Sequence, residues 1–223
     1  MKKLVITIDG PAGAGNTTVS RALAHHLGYI YVDTGALYRG VAVTAASEGI
    51  GADDDEGLAK LCSRLELQFV RTGGQLRLTA NGKDITDSIR VSEITMLASA
   101  VSARPVVRDY LLKVQRDLGR EKGAVFEGRD MGTVVFPDAD VKFFLDASEE
   151  KRAYRRYLEL KANHRQSLTD VQKDMHRRDT NDSSRAVAPL KPADDAIILD
   201  CSELSAEEVV QHMLAHIDTV VGN

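Results

Sequence analysis

The stretch Gly10-Pro11-Ala12-Gly13-Ala14-Gly15-Asn16-Thr17-Thr18 carries residue types that bind anions. Its glycines let backbone N–H groups turn inward around phosphate oxygens. An apolar, β-branched run, Leu4 to Ile8, precedes the loop. Helical spacing follows it, with Val19, Leu23 and Leu27 on one face. Strand, glycine loop and helix is the setting a phosphate-binding loop requires, because the helix N-terminus adds partial positive charge. Thr17 offers a hydroxyl where such loops hold Mg2+. The pattern G-x4-G-K-[ST] asks for Lys where this chain has Asn16. On the motif alone, an ordinary glycine-rich turn also fits.

Three further clusters could do chemistry. Asp33-Thr34-Gly35-Ala36-Leu37-Tyr38-Arg39 follows a second short strand, Tyr29 to Val32. Open α/β sheets bind ligands at the carboxyl ends of their strands, so Asp33, Thr34 and Arg39 are placed to meet a second ligand. A capped surface helix is the other reading. Glu127-Gly128-Arg129-Asp130-Met131-Gly132 ends a third strand in the same way. Arg129 can grip a phosphate bidentately and Asp130 can accept from a base amino group, unless the two form a surface charge pair. The last cluster is Arg177-Arg178-Asp179, Asp182 and Arg185 to Leu190, after a helix crowded with Lys151, Arg152, Arg155 and Arg156. Two basic helices flanking a loop suit either a solvated surface or a lid closing over a polyphosphate.

The elements that must position these residues read as an α/β chain. Strands are expected at Leu4–Ile8, Tyr29–Val32, Ala124–Glu127, Val141–Leu145 and Ile197–Leu199. Helices are expected over 17–27, 36–48, 54–65, 92–102, 105–119, 149–162, 168–178 and 205–219, with a loop over 179–195. Short strand-like pieces separated by Gly73-Gly74 and Asn81-Gly82 predict an antiparallel insert over 66–90, the second pair being a strong hairpin signal. Asp53-Asp54-Asp55-Glu56 suits a helix N-terminus better than a metal.

The 223 residues, with net charge −4, argue against a nucleic-acid coat or a polybasic membrane binder. Cys62 and Cys201 lie far apart with no CxxC, as expected of reduced cytosolic thiols. MKKLVITIDG has too short an apolar run for a signal peptide, and a cytoplasmic location is expected. His212 and His216 are four apart, with packing the favoured role over metal binding. Asp9 suits a structural acceptor, or an organiser of Mg2+ waters.

The pieces ITIDGPAGAG, VDTGALYR, ASAVSARPVVR, EGRDMGTVVFPDADVKFFLDAS, RRDTNDSSRAVAPL and DAIILD, in that order, resemble bacterial cytidylate kinases from residue 6 to residue 200. The resemblance implies a P-loop kinase fold: a five-stranded parallel sheet flanked by helices. It implies one domain, with a core (about 1–65, 103–148 and 190–223), a monophosphate-binding insert (about 66–102) and a lid (about 149–189). ATP with Mg2+ is the implied donor, and CMP or dCMP the acceptor. No nucleic-acid polymer or membrane partner is expected, and a monomer is.

Carried over by position, Thr34, Ser99, Arg108 and Asp130 correspond to the cytosine-reading group, and Arg39 and Arg129 to the α-phosphate clamp. Arg178 and Asp182 correspond to pentose contacts, and Arg185 to a lid arginine near the transferring phosphoryl. Tyr38 supports the pocket, with Asp33 beside it. Gly10 through Thr18 would hold the ATP phosphates, with Thr17 as metal ligand. Asn181 stands where several relatives carry Arg.

Asn16 departs from the family pattern at a catalytic position. Asn is neutral and shorter than Lys, and losing such a contact costs roughly 3–4 kcal/mol by analogy with an oxyanion-hole donor. Three accounts fit: a lysine-deficient kinase, a kinase in which Arg185 or another lid cation substitutes, or a nucleotide-binding regulator.

Overall fold

The computed structural model describes residues 3–73, 75–161 and 166–221. Its chain order begins β1 (Val5–Asp9), α1 (Asn16–Leu27), β2 (Ile30–Asp33), α2 (Thr34–Ser47) and α3 (Asp55–Arg64). Then come β3 (Leu67–Thr72), β4 (Gln75–Ala80), β5 (Lys83–Asp84), α4 (Ser92–Val101) and α5 (Pro105–Gly119). It closes with β6 (Ala124–Gly128), β7 (Val141–Asp146), α6 (Glu149–Lys161), α7 (Leu168–Ser184), β8 (Ile197–Asp200) and α8 (Ala206–Val221). Contacts divide the chain into two compact units. One holds the described residues up to Val32 and from Gly119 onward, and the other runs from Asp33 to Leu118.

The first unit is built on a five-stranded sheet in the order β2-β6-β1-β7-β8. Every residue of β1 is buried. That is why Val5 to Ile8 are apolar but for the β-branched Thr7: a central parallel strand is covered on both faces. β1 pairs in parallel with β6 (Ile8↔Glu127) and with β7 (Ile8↔Phe143). Leu23 of α1 and Val210 and Met213 of α8 pack with Ile6, Ile8 and Leu145 in the core. His216 sits edge-on to Phe143, with centroids 6.1 Å apart, so packing accounts for it. Cys201 is buried here and Cys62 in the other unit, both as free thiols.

The second unit packs α2, α3, α4 and α5 with an antiparallel sheet, β3-β4-β5. Leu37, Val41, Leu58, Leu61, Leu78 and Leu111 form the centre of its core. β3 and β4 pair from Leu67↔Ala80 to Thr72↔Gln75. Asn81 (φ 49°) and Gly82 (φ 79°) turn the chain into β5, as the Asn-Gly pair predicts. Gly74, of the other expected turn, lies outside the described residues, as does position 162 of the expected sixth helix.

Two local expectations change. The helix expected to stop near residue 178 runs to Ser184, so the loop begins later. Thr180 to Ser184 are weak helix formers, but Asp182 is buried and ion-paired to Arg129, and that tertiary contact holds the last turn. Met131–Val135, which carried no signal of its own, winds as a π-helical turn, with Phe136 N–H bonding back to Met131 C=O at 2.7 Å.

Candidate active site

The phosphate loop joins β1 to α1. Gly13 (φ 78°) and Gly15 (φ 109°) adopt left-handed backbone that L side chains rarely take. A Cβ on Gly13 would also lie 2.8 Å from the Arg152 carbonyl oxygen. Asn16 opens α1 with its side chain turned back on the loop. Its Nδ2 donates to the Gly10 carbonyl at 3.0 Å and the Pro11 carbonyl at 3.3 Å. Its Oδ1 is buried without a hydrogen-bond partner.

Thr17 is exposed, and its hydroxyl donates to Glu127 Oε1 at 2.7 Å. The other carboxylate oxygen accepts from the Tyr31 hydroxyl at 2.5 Å. Glu127 had no role assigned from sequence. An acidic residue ending the strand beside β1 is the signal, but only the strand order shows that β6 is that neighbour. Thr17 and Glu127 supply hard oxygen donors of the kind Mg2+ takes. Among the described residues, no three His, Cys, Asp or Glu cluster as a metal site.

Asp9 follows Ile8 at the end of β1 and is buried. Its two oxygens accept the Met131 N–H at 2.9 Å and the Gly132 N–H at 2.8 Å, anchoring the π-helical turn. Burial pushes its carboxyl up to about 7; the two N–H bonds oppose the rise and the Asp130 charge adds to it. Of the two roles open to Asp9, the structural acceptor is the one these bonds describe.

Basic residues of α6 meet the loop from another side. Arg152 Nη1 donates to the Ala12 carbonyl at 3.0 Å and to Asp179 at 2.5 Å, and Nε donates to the Ala147 carbonyl at 2.9 Å. Arg155 reaches the Ala14 carbonyl at 3.4 Å and the Cys201 carbonyl at 2.6 Å. The sequence places both arginines on a basic helix that suits a solvated surface or a lid, with no sign of these loop contacts.

At the carboxyl end of β6, Arg129 Nε pairs with Asp182 of α7 at 3.1 Å, and its Nη1 donates to the Gly128 carbonyl. Asp130, 2% exposed, pairs with Arg185 at 3.4 Å. Arg185 also donates to the carbonyl of Ala188 at 2.5 Å, a residue with φ 51°. Arg178 is half-buried on α7, one turn before Asp182. Arginines and carboxylates from two parts of the sequence, the end of β6 and the end of α7, thus pair crosswise, and both arginines are of a type that grips phosphate.

In the second unit, Asp33 caps α2 by accepting the Ala36 N–H at 2.9 Å, and pairs with Arg39 at 2.8 Å. Thr34 is buried beside it. Arg108 is buried, with its guanidinium 5.8 Å from the centroid of the Tyr38 ring and a bond to the Ser102 carbonyl at 3.2 Å. Ser99 Oγ is buried without a hydrogen-bond partner. The structure therefore groups Asp33 with Arg39, and Tyr38 with Arg108, in one unit. It groups the loop, Arg129, Asp130, Arg178, Asp182 and Arg185 in the other.

No helix among the described residues is long and apolar enough to cross a membrane. In fold, the chain is similar to a shikimate kinase from Bacteroides thetaiotaomicron, with a TM-score of 0.52, 10% identity and coverage of 97% of this chain and 99% of that one. In sequence, it is 56% identical to a cytidylate kinase from Geobacter sulfurreducens, over 94% of this chain and 91% of the relative. It is 46% identical to a cytidylate kinase from Pasteurella multocida, over 96% and 95%. The model of the family described as Cytidylate kinase matches residues 6–219. From its phosphate loop to its last helix, the chain belongs to the cytidylate kinase family.

Proposed function

We propose that the chain transfers the γ-phosphoryl group of ATP to CMP or dCMP, giving ADP and CDP or dCDP. The observation that carries this reading is the pairing, in one unit, of a phosphate loop with the network of Arg129, Asp130, Asp182 and Arg185. A regulator that binds nucleotide without turnover is not favoured, since the relatives that the chain matches over nearly its full length are cytidylate kinases.

The donor's phosphates lie on the loop's backbone N–H groups from Ala12 through Thr18. Thr17, steadied by Glu127, would hold Mg2+, and that ion would neutralise charge on the donor's phosphates. Arg39 and Arg129 clamp the acceptor's α-phosphate. One of its oxygens, already anionic, attacks the γ-phosphorus as the bond to the ADP oxygen breaks, so no general base is required. Arg185 donates to the charge spread over the transferring oxygens.

Thr34, Ser99, Arg108 and Asp130 read the cytosine, with Tyr38 packing against Arg108 and Asp33 fixing Arg39. Asp130 accepts from the exocyclic amine and Arg108 donates to the ring carbonyl. Uracil presents a carbonyl where cytosine has the amine, so a buried acceptor rejects it. Arg178 and Asp182 meet the pentose. The segment 66–102 serves as the monophosphate-binding insert, and 149–189 as the lid over ATP. The reading takes the chain as a cytoplasmic monomer acting on small molecules.

Calorimetry with CMP and UMP tests the assignment. CMP binding at least about tenfold tighter than UMP is expected, the scale of one buried polar mismatch. Equal affinity, or no CMP binding, would sink it.

A further inference from the structure

The carbonyl oxygens of the phosphate loop are held one after another by side chains. Asn16 Nδ2 takes those of Gly10 and Pro11. Arg152 takes that of Ala12, and Arg155 approaches that of Ala14. A peptide unit is planar and trans, so its C=O and N–H point in opposite directions. A donor fixed on the Pro11 carbonyl therefore aims the Ala12 N–H the other way. The same holds for the Gly13 N–H behind the Ala12 carbonyl and the Gly15 N–H behind that of Ala14. These are the groups with which such a loop meets phosphate.

Asn16 is 5% exposed and Arg152 8%, so neither holds the loop as a loose surface contact would. Arg152 is itself fixed by the Ala147 carbonyl and by Asp179. Gly13 packs against α6 and α7 with no room for a Cβ: the Arg152 carbonyl oxygen would lie 2.8 Å away and Met175 Cε 2.9 Å.

We infer that Asn16 and Arg152 are positioning residues: they hold the loop's carbonyls from behind so that its N–H groups are aimed at the donor's phosphates before ATP arrives. The inference rests on the kinase reading above. In this chain, position 16 contributes shape to the loop where family members with Lys contribute charge. Such a role tightens ground state and transition state alike, so its loss appears in KM for ATP and spares kcat.

Calorimetry with ADP, without added metal, reads the loop directly. Asn16→Ala is expected to weaken ADP binding about tenfold, the scale of lost hydrogen bonds to the loop, while CMP affinity stays within about twofold. In steady state, KM for ATP rises by a similar factor and kcat changes by less than about threefold. Arg152→Lys keeps the charge but replaces two separated donors, Nε on the Ala147 carbonyl and Nη1 on the Ala12 carbonyl and Asp179, with one nitrogen, so it should show the same split. It also reads the inference should Asn16→Ala fail to fold. ADP affinity unchanged in the folded variants, or a fall in kcat with KM for ATP unchanged, overturns the positioning role. A parent chain that binds ADP but not CMP speaks against the acceptor assignment alone. A parent that binds neither overturns both readings.

Discussion

Asn16 concentrates the chemical question at a single side chain. Its amide is engaged by the Gly10 and Pro11 carbonyls, and an amide carries no net charge to place beside the β- and γ-phosphates. Arg185, the cation proposed to stand in for the Lys, is bonded to Asp130 and to the Ala188 carbonyl in this structure. Charge at the transferring phosphoryl is what phosphoryl transfer draws on most. Asn16→Lys should therefore raise kcat at least about tenfold, and by roughly 10²–10³-fold where Lys is worth one oxyanion-hole donor. An assay of ADP release coupled to NADH oxidation checks it. An unchanged rate on a parent that is already fast would mean that another cation supplies the charge.

Elements decide which of these side chains can meet. α7 holds Asp179 and Asp182 about one turn apart, the first on Arg152 and the second on Arg129. Asp182 N–H and C=O lie within the helix's last turn, and its carbonyl also accepts the Leu190 N–H at 2.8 Å. Removing one member of a buried pair strands the other charge, at a cost of about 3 kcal/mol. Asp182→Ala should lower the urea midpoint accordingly, and amide exchange over 179–184 should quicken as the last turn frays. Protected amides in that turn would show that the pair does not hold it. The sequence could not mark this helix end, because Thr180 to Ser184 carry a loop's composition and the partner of Asp182 is far away in the chain. The parallel strands were legible by contrast, since Val5 to Ile8 and Val141 to Leu145 are short runs rich in β-branched or aromatic residues, each stopped by an Asp. The roles of Glu127, Arg152 and Arg155 were hidden for the same reason as the helix end: each depends on which elements are neighbours, and composition does not give that order.

Across the whole molecule, stability is set partly by a buried acid. Asp9 titrates near 7 in the folded chain, against an ordinary value of 3.8, because burial disfavours its charge and the Asp130 carboxylate adds to the effect. Between those values the folded state holds a proton that the unfolded state has released. By linkage, this contribution to stability is complete below about 3.8 and is lost as pH rises through about 7. Denaturant midpoints should thus be lower at pH 8 than at pH 5.5, and Asp9→Asn should shrink that difference. Equal midpoints for the parent at the two pH values would rule this out.

The parallel sheet has a further consequence at its borders. β2 and β8, its two outer strands, are each four residues long, whereas the inner strands have five or six. Ile30 and Ile198 are exposed on those outer strands, apolar residues of the kind that invite a stray strand to dock. Any intruding chain would find only a short ladder of open amides there, ending at Asp33 on one side and at Asp200 on the other. Brevity and acidic ends are among the means by which sheets resist recruitment into aggregates. By that reckoning the borders are guarded by being too short to template another strand.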